Sequence, residues 1–396
     1  MMTKKLIIIV FALIAFSAFF QILANNNKEI MTPLTRIKGD VLSDPDSNYN
    51  VNIHYDTTWA GGAGIKSVHI SRSGKIAVAC DLEGCSVWVL DLITNKVAFK
   101  ILFDQTVGPG FKDNSEIVEK CVREKPVDCA ISDGDSFMYV TLYNANCVVK
   151  IPLNYQEISS SVQPCDRTIG ATIKNALGES KRIVLRAANC QNMPKMVSIS
   201  PDKKSLIISN WVSGSITIAN IKQMKTESNI ILNGGYKQYP RGISLDSATN
   251  KFYVNNMGGG TISEINLATN KLMKNHSILP NPGHHTLSAD KSHFFICDNR
   301  GKAFYKYNIN EKKIVNLVYF PENALLFGID PQEKFAVVLH WYHNKVSVVN
   351  LEKMTILKTI NIHRPIGIDF GKNFFIISSY GGGIGKLSKF SYQFIN

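Results

Sequence analysis

The chain has 396 residues, of which 45% are hydrophobic and 19% charged, a composition typical of a globular protein and not of a disordered one. At this length two or three domains would be ordinary. The 44 Lys and Arg residues against 31 Asp and Glu give a formal net charge of +13, which favours anionic partners such as phosphorylated molecules, acidic polysaccharide, nucleic acid or a membrane surface. A solvated, lysine-rich exterior would give the same charge.

Residues 1–24 predict export. Lys4 and Lys5 precede an uncharged apolar run over residues 6–20, and Ala24 offers a small residue for cleavage. The apolar stretch is also long enough for an uncleaved membrane anchor, since about 20 residues span a bilayer. We therefore expect a signal peptide or a membrane anchor, on an exported protein that is periplasmic, cell-surface or secreted.

Residues 65–396 carry one pattern seven times: a start with proline or glycine, an apolar strand, a turn, a second apolar strand, a polar or glycine loop and a third strand. Pro194-Lys-Met-Val-Ser-Ile-Ser and Pro240-Arg-Gly-Ile-Ser-Leu-Asp begin two copies. A period of about 40 residues built only from strands predicts an all-β fold, a seven-bladed β-propeller of four-stranded antiparallel blades. The first strands start near Ser67, Asp128, Met196, Gly242, His284, Leu326 and Ile366.

The segment 25–64 is predicted to complete the last repeat. That repeat ends after its third strand, near Tyr392, so its sheet would have an unpaired edge. We expect residues 35–41 or residues 51–55 to supply the missing outer strand and close the ring. The predicted propeller domain is then 65–396.

The strands of one repeat differ in pattern. Second strands are almost continuously apolar, as in Phe335-Ala-Val-Val, which predicts burial on both faces between neighbouring blades. Third strands alternate, as in Ser86-Val-Trp-Val-Leu-Asp, the pattern of a half-buried strand. The connections over residues 104–125 and 164–192 are longer than hairpin loops, and loops of that length are usually functional or disordered.

The eight cysteines suit an exported protein, in which disulfides can form. Cys80 and Cys85 flank the turn between a second and a third strand, so we expect them to pair across the hairpin. Cys165 and Cys190 bracket the second long connection and could staple it. A Cys-x-x-Cys spacing does not occur, so we expect no metal bound by thiols.

Several segments resemble the YVTN-type propeller repeat. They include the turn Ile199-Ser-Pro-Asp-Lys-Lys, the strand Phe252-Tyr-Val-Asn-Asn and the strand pair Ile265-Asn-Leu-Ala-Thr-Asn-Lys-Leu. The resemblance runs from about residue 65 to residue 390 and implies a propeller of the exported bacterial surface or periplasmic kind. It implies no particular activity, because that family includes binding, adhesion and envelope proteins without a shared catalytic motif.

Cations recur where the chain enters a first strand. On one face of a propeller these loops and those between second and third strands converge on the central channel, the default binding site. Aligned repeats place Lys66, Lys195, Arg241 and, with a one-residue shift, Arg364 at its rim. Converging cations repel one another unless an anion binds between them, so they predict an anion site. The alternative is that these side chains point outward to solvent.

Aromatic side chains recur in the loops between second and third strands, among them Trp211 and Trp341. Exposed aromatic rims stack on sugars, bases or peptide side chains. Beside the cations, they predict a ligand-binding face, to which we also assign His284 and His340. The alternative is that both tryptophans pack between blades as part of the core.

Histidines offer a second interpretation. His284 and His285 follow Pro282-Gly283, which is similar to the proline-arginine-histidine start of lactonase-type propellers, with glycine in place of arginine. With His340 in a neighbouring repeat they could form a metal-ligand cluster, because imidazole is the commonest ligand. Nucleophile-elbow, zinc-protease and phosphate-loop motifs do not occur. We therefore expect no catalytic residue, metal or cofactor.

We expect an exported, monomeric, non-enzymatic propeller that binds an anionic or aromatic ligand or a protein partner on its loop-rich face. Envelope polysaccharide, an acidic protein or a nucleic-acid strand would suit that face, and membrane contact would involve only the N-terminal segment. The alternative is a hydrolase of the lactonase type, with or without a metal, that uses His284, His285 and His340.

Overall fold

The computed structural model describes residues 40–43, 50–111, 117–159, 164–278 and 281–395. The predicted leader, residues 1–24, lies outside this part of the chain. The fold is all-β and propeller-like, with most strands arranged in four-stranded antiparallel sheets. In the described part of the chain, no helix is long and apolar enough to span a bilayer.

The first half of the chain contributes thirteen strands, numbered in chain order. Two precede the repeats: β1 (Asp40–Ser43) and β2 (Asn50–Gly62). The first repeat and the connection after it supply β3 (Ile65–Ile70), β4 (Ile76–Asp81), β5 (Ser86–Asp91), β6 (Lys96–Phe103), β7 (Gln105–Phe111) and β8 (Ile117–Arg123). The second repeat and its connection supply β9 (Pro126–Ile131), β10 (Phe137–Leu142), β11 (Cys147–Pro152), a short 3-10 helix (Tyr155–Glu157), β12 (Arg167–Asn175) and β13 (Ser180–Asn189).

The second half is more regular. The third and fourth repeats supply β14 (Pro194–Ile199), β15 (Ser205–Asn210), β16 (Ser215–Asn220), β17 (Lys225–Ile231), β18 (Pro240–Asp246), β19 (Lys251–Asn256), β20 (Thr261–Asn266) and β21 (Lys271–Ser277). The fifth and sixth supply β22 (Pro282–Leu287), β23 (His293–Asp298), β24 (Ala303–Asn308), β25 (Lys313–Tyr319), β26 (Leu326–Ile329), β27 (Phe335–His340), a 3-10 helix (Trp341–His343), β28 (Lys345–Asn350) and β29 (Thr355–Asn361). The last supplies β30 (Pro365–Phe370), β31 (Phe374–Ser379) and β32 (Gly385–Ile395).

Repeats three to six each form one antiparallel sheet of four consecutive strands. Their second strands are buried on both faces, as predicted: β27 is buried at all six positions. The third strands differ from the expectation of half burial, since β28 is buried at five of its six positions. The reason is that neighbouring sheets cover both faces, and the polar Ser347 of β28 is accommodated by its hydrogen bond with His340 Nε2 at 2.9 Å.

The second long connection is folded into strands. β12 pairs with β6 and β13 pairs with β11, so the first two repeats share one sheet of nine strands. Alternate residues of β12 are buried, Ile169, Ala171 and Ile173, which is the period of a half-covered strand. The hairpin therefore pairs two sheet edges that would otherwise be exposed. The first long connection forms the separate pair β7–β8.

The N-terminal segment pairs with the end of the chain. β2 runs antiparallel to β32, from Val51 opposite Phe394 to Gly62 opposite Gly385. The sheet order is β1-β2-β32-β31-β30. Of the two stretches predicted to supply an outer strand, residues 51–55 do so. Residues 35–39 of the other stretch lie outside the described part.

The first strands contact one another in chain order, β3, β9, β14, β18, β22, β26 and β30, and β30 also contacts β3. Apolar side chains pack between adjacent sheets. Phe295 and Phe304 of one sheet, for example, share a cluster with Phe327 and Val338 of the next. The core is thus a series of layers between sheets, with the first strands at their inner edges.

Neither predicted disulfide is present, since Cys80, Cys165 and Cys190 are free thiols. In the hairpin register Cys80 faces Val87, not Cys85, and its thiol contacts that of Cys129 in β9.

The ends of the second long connection are held together without a disulfide. The carboxylate of Asp166 accepts hydrogen bonds from the backbone N–H of Asn189 at 3.0 Å and of Thr226 at 2.8 Å. Cys165 and Cys190 pack instead on one apolar cluster. A carboxylate bridge therefore has the role that the sequence assigned to the two cysteines.

Candidate functional site

A cavity of about 290 Å³ lies between the first strands. All seven of these strands, β3, β9, β14, β18, β22, β26 and β30, contribute to its lining. It occupies the position at which the sequence predicts a binding site, where the starts of the first strands converge. A volume of this size suits a small ligand.

Three of the predicted cations meet at this cavity: Lys66, Lys195 and Arg241. Each is the second residue of its first strand, in β3, β14 and β18. Residues at the same position of equivalent strands lie at the same distance along the cavity axis, which we call the same level. Alignment of the repeats therefore identified these three residues. Their combined charge favours an anion in the cavity.

Arg364, the fourth predicted cation, lies outside the lining. It is exposed, has a left-handed backbone conformation (φ 38°), and its guanidinium lies beside Gly381. Pro365 is the first residue of β30, so Ile366 occupies the position that Arg241 has in its own strand, and Ile366 lines the cavity. The one-residue shift in the alignment was wrong.

Arg241 is the most buried of the three cations, with 6% of its surface exposed. Burial lowers the pKa of its guanidinium, and the charges of Tyr143 and Asp128 oppose that effect. Within the part of the chain that the structure describes, the guanidinium has no hydrogen-bond or ion-pair partner. The charges of Asp128 and Tyr143 therefore offset the cost of burying the guanidinium only in part, and an anionic ligand would offset more of it.

A recurring polar clamp positions the strands that carry these cations. At the fifth position of β19, Asn255 accepts a hydrogen bond from the backbone N–H of Gly242 at 2.7 Å and donates one to the carbonyl of Pro282 at 2.6 Å. Ser209, at the same position of β15, donates to the carbonyl of Arg241 at 2.8 Å. Gly242 has no room for a side chain, because a Cβ there would lie 2.7 Å from Asn255 Oδ1.

The two lysines lie against aromatic rings. Lys195 Nζ is 4.3 Å from the centroid of the Trp211 ring and 5.5 Å from that of Tyr143. Lys66 Nζ is 4.9 Å from the centroid of Tyr380. Such cation–π contacts are worth about 0.5–1 kcal/mol at partly exposed sites. Trp211 is therefore a positioning residue behind Lys195.

Both predicted tryptophans lie outside the cavity lining. Trp341 Nε1 donates to the carbonyl of Tyr380 at 2.8 Å, and the two ring centroids are 6.1 Å apart. Trp211 and Tyr380 pack on a buried cluster of Leu82, Val127, Tyr143 and Met193. The alternative of structural packing describes the tryptophans better than direct stacking on a ligand in the cavity.

The cavity also has acidic side chains, which were not predicted. Asp128 accepts hydrogen bonds from His69 Nε2 at 2.6 Å and from the backbone N–H of Val197 at 3.1 Å. Burial alone would lower the pKa of His69, but the charge and hydrogen bond of Asp128, with the charge of Asp369, raise it to about 9. Asp369 accepts from the backbone N–H of Ile70 at 2.7 Å, and burial raises the pKa of its carboxyl.

We expect the His69–Asp128 pair to make stability depend on pH. The folded-state pKa of His69, about 9, lies above its ordinary 6.5, so the stabilisation is complete below pH 6.5 and is lost as the pH rises through 9. In urea unfolding, the stability advantage of the wild type over His69→Gln should shrink by about 1–3 kcal/mol from about pH 6 to pH 9.5. A constant difference over that range would contradict the ion pair.

Only one of the three predicted site histidines lines the cavity. His284 does so, and burial, with the charges of His285 and Arg241, holds its pKa well below the usual range, so it is neutral. His285 is 1% exposed, and its Nδ1 lies 3.2 Å from Asn255 Oδ1. His340 is fully buried, with Nδ1 3.0 Å from the carbonyl of Asn323.

The histidines therefore do not form a metal centre together. Among the described residues, no group of three or more His, Cys, Asp and Glu side chains is arranged to hold a metal ion.

The unpredicted cavity residues His69, Asp128 and Asp369 had a signal in the sequence, since each is an ionisable residue inside a mostly apolar first strand. The prediction compared only the residues at which the first strands begin, and these three residues lie further along their strands.

Comparisons with known proteins bear on the fold. No protein-family model and no curated protein matches this chain. Among solved structures, the chain is similar to the hydrazine synthase of Kuenenia stuttgartiensis, with a TM-score of 0.62 and 12% identity over 84% of this chain and 96% of that one. The likeness is one of fold. It fits a β-propeller and carries no activity across, because one fold hosts many functions.

Proposed function

We propose that this chain is an exported seven-bladed β-propeller, closed by its N-terminal strand, that binds a small anionic ligand without catalysis. The cyclic order of contacts among the seven first strands and the pairing of β2 with β32 support the ring. The apolar leader at residues 1–24 supports export, and the resemblance to YVTN-type repeats fits both.

The observation that carries the binding function is Arg241, a buried guanidinium on the cavity wall. An anion there would make charge-assisted hydrogen bonds with a group that is already largely desolvated, with 6% of the Arg241 surface exposed. Lys66 and Lys195 add positive charge at the same level of the cavity. A volume of about 290 Å³ favours a small anion over polysaccharide, acidic protein or nucleic acid, which would have to bind on the surrounding loops.

The geometry favours binding over the lactonase-type alternative. A hydrolase built on His284, His285 and His340 would need them at one place, and two of the three are buried with partners outside the cavity. The monomeric state and the extracytoplasmic location stay predictions.

Isothermal titration calorimetry of the purified protein tests the proposal directly. The probes are sodium phosphate, acetate, benzoate and hexanoate at low ionic strength. We expect at least one of them to bind once per chain with a Kd of about 1 mM or tighter, and binding to weaken as sodium chloride is added. If none of the four probes gives binding heat, the anion site is wrong.

Lys195 should contribute less to the affinity for an anion than the buried Arg241 does. Lys195 is half-buried, so water and salt screen its charge, and Lys195→Gln should weaken binding of the same probe about two- to fivefold. The slope of affinity against salt should also decrease. Calorimetry at two salt concentrations measures both effects, and an unchanged salt slope would remove Lys195 from the anion site.

A further inference from the structure

The cavity has two chemically different walls. One is formed by β26 and β30, which are neighbours and contact each other. Its lining residues are apolar apart from two glycines and Asp369: Leu326, Phe327, Ile329, Ile366, Ile368 and Phe370. The remaining five first strands supply the other wall, which carries Lys66, Lys195 and Arg241. In the cyclic order β14, with Lys195, is three strands from both β26 and β30 and therefore faces them.

The apolar wall is not fully covered by the protein itself. Leu326, Ile329 and Ile368 are only half-buried although they lie at the centre of the fold. Apolar surface that faces an aqueous cavity loses the free energy its burial would give. A ligand with an apolar body would cover this wall, whereas a fully polar anion such as phosphate would leave it exposed to water.

The acidic side chains of the cavity, Asp128 on the charged wall and Asp369 on the apolar wall, favour an anion with a single negative charge over a dianion. Asp128 and Asp369 line the same cavity, and carboxylates near a bound dianion would repel it. A planar guanidinium such as that of Arg241 matches a carboxylate, to which it can donate two parallel hydrogen bonds.

We propose that the ligand is an amphiphilic monocarboxylate, with its carboxylate at Arg241 and a short alkyl chain or a single ring against Leu326, Ile329 and Ile368. This rests on the proposed anion-binding function and specifies the class of ligand. The size of the cavity limits the apolar body to a few carbons, well below the length of a membrane fatty acid.

Calorimetry with acetate, butanoate, hexanoate and phosphate tests the ligand class on the unmodified protein. Affinity should rise about fourfold for each CH₂ group, because burial of one such group contributes about 0.8 kcal/mol. From butanoate to hexanoate that is about 15-fold. Phosphate should bind more weakly than hexanoate.

The outcomes separate the two proposals. Equal affinity along the carboxylate series, or tighter binding of phosphate than of hexanoate, rejects the amphiphile and keeps the anion site. An absence of binding by every probe rejects both.

Ile368→Thr provides the matched test of the wall. It should lower hexanoate affinity several-fold and leave acetate affinity unchanged, because acetate has no chain to contact the wall. Ile356→Thr is the control, since Ile356 is 41% exposed on the outer strand β29 and should change neither affinity. A hexanoate-to-acetate affinity ratio that Ile368→Thr leaves unchanged overturns the assignment of the wall.

Discussion

Replacement of Arg241 by glutamine is expected to weaken binding of the tightest anionic probe at least tenfold. A charge-assisted hydrogen bond contributes about 1.5–3 kcal/mol, and about 1.4 kcal/mol corresponds to a factor of ten. Glutamine keeps a polar group of moderate size but removes the charge and the paired donors. Calorimetry at low salt measures the loss.

The free energy of unfolding of Arg241→Gln distinguishes a binding role of Arg241 from a merely structural one. Because its guanidinium is buried and without an ionic partner among the described residues, Arg241→Gln should leave the unliganded protein as stable as the wild type, or more stable. A residue needed for packing would instead lower the urea midpoint. Loss of affinity together with retained stability is the combination that indicates a binding residue.

Arg364→Gln is the matched control. Arg364 was grouped with Arg241 on sequence grounds, but it is exposed and lies outside the cavity lining. Its replacement should change neither affinity nor stability. Equal losses of affinity in the two variants would indicate a general effect of net charge and would contradict a site at Arg241.

The second large effect is expected at Asn255. Asn255→Ala should destabilise the protein by about 3 kcal/mol, since the buried backbone N–H of Gly242 and the carbonyl of Pro282 would each lose a partner. Asn255 is fully buried, and water cannot replace the bonds without opening the core. Equilibrium urea unfolding followed by far-ultraviolet circular dichroism measures the change.

Ser378 offers a control at the same position of another second strand. It is fully buried, and its hydroxyl has no hydrogen-bond partner within the described part of the chain. Ser378→Ala should therefore be neutral or slightly stabilising. If Ser378→Ala costs as much as Asn255→Ala, the effect comes from lost volume and the polar clamp has no special role.

The strand content, the period and the level of the cations could be predicted from the sequence. Lys66, Lys195 and Arg241 were found because each is the second residue of its first strand. Residues at the same position of equivalent strands lie at the same distance along the cavity axis, so aligning the repeats was enough to group them. The same alignment failed at Arg364, where Pro365 shows that the strand begins one residue later. A shift of one residue in a strand reverses the face of every side chain.

Other features depend on contacts between distant parts of the chain. The alternation in β12 was present in the sequence, but its pairing with β6, about 70 residues earlier in the chain, is a property of the packed sheets. Cys80 and Cys85 are close in sequence, yet the hairpin register places Val87 opposite Cys80. Likewise His284, His285 and His340 do not come together in the structure: His284 lines the cavity, and the other two are buried elsewhere.

The sequence by itself determined that this protein is built from repeated short strands, because a periodic apolar pattern can be buried only by stacking the repeats against one another. It also indicated that Lys66, Lys195 and Arg241 occupy equivalent positions in their strands, although it wrongly added Arg364 to them. Only the tertiary structure decided that Arg241 is buried with no ion pair among the described residues, that Asp128 pairs with His69, and that an apolar wall lies opposite Lys195. Those properties depend on which side chains of separate repeats come within a few ångströms of each other. Strand register and the order of the sheets around the cavity set those distances, and neither is contained in any single repeat.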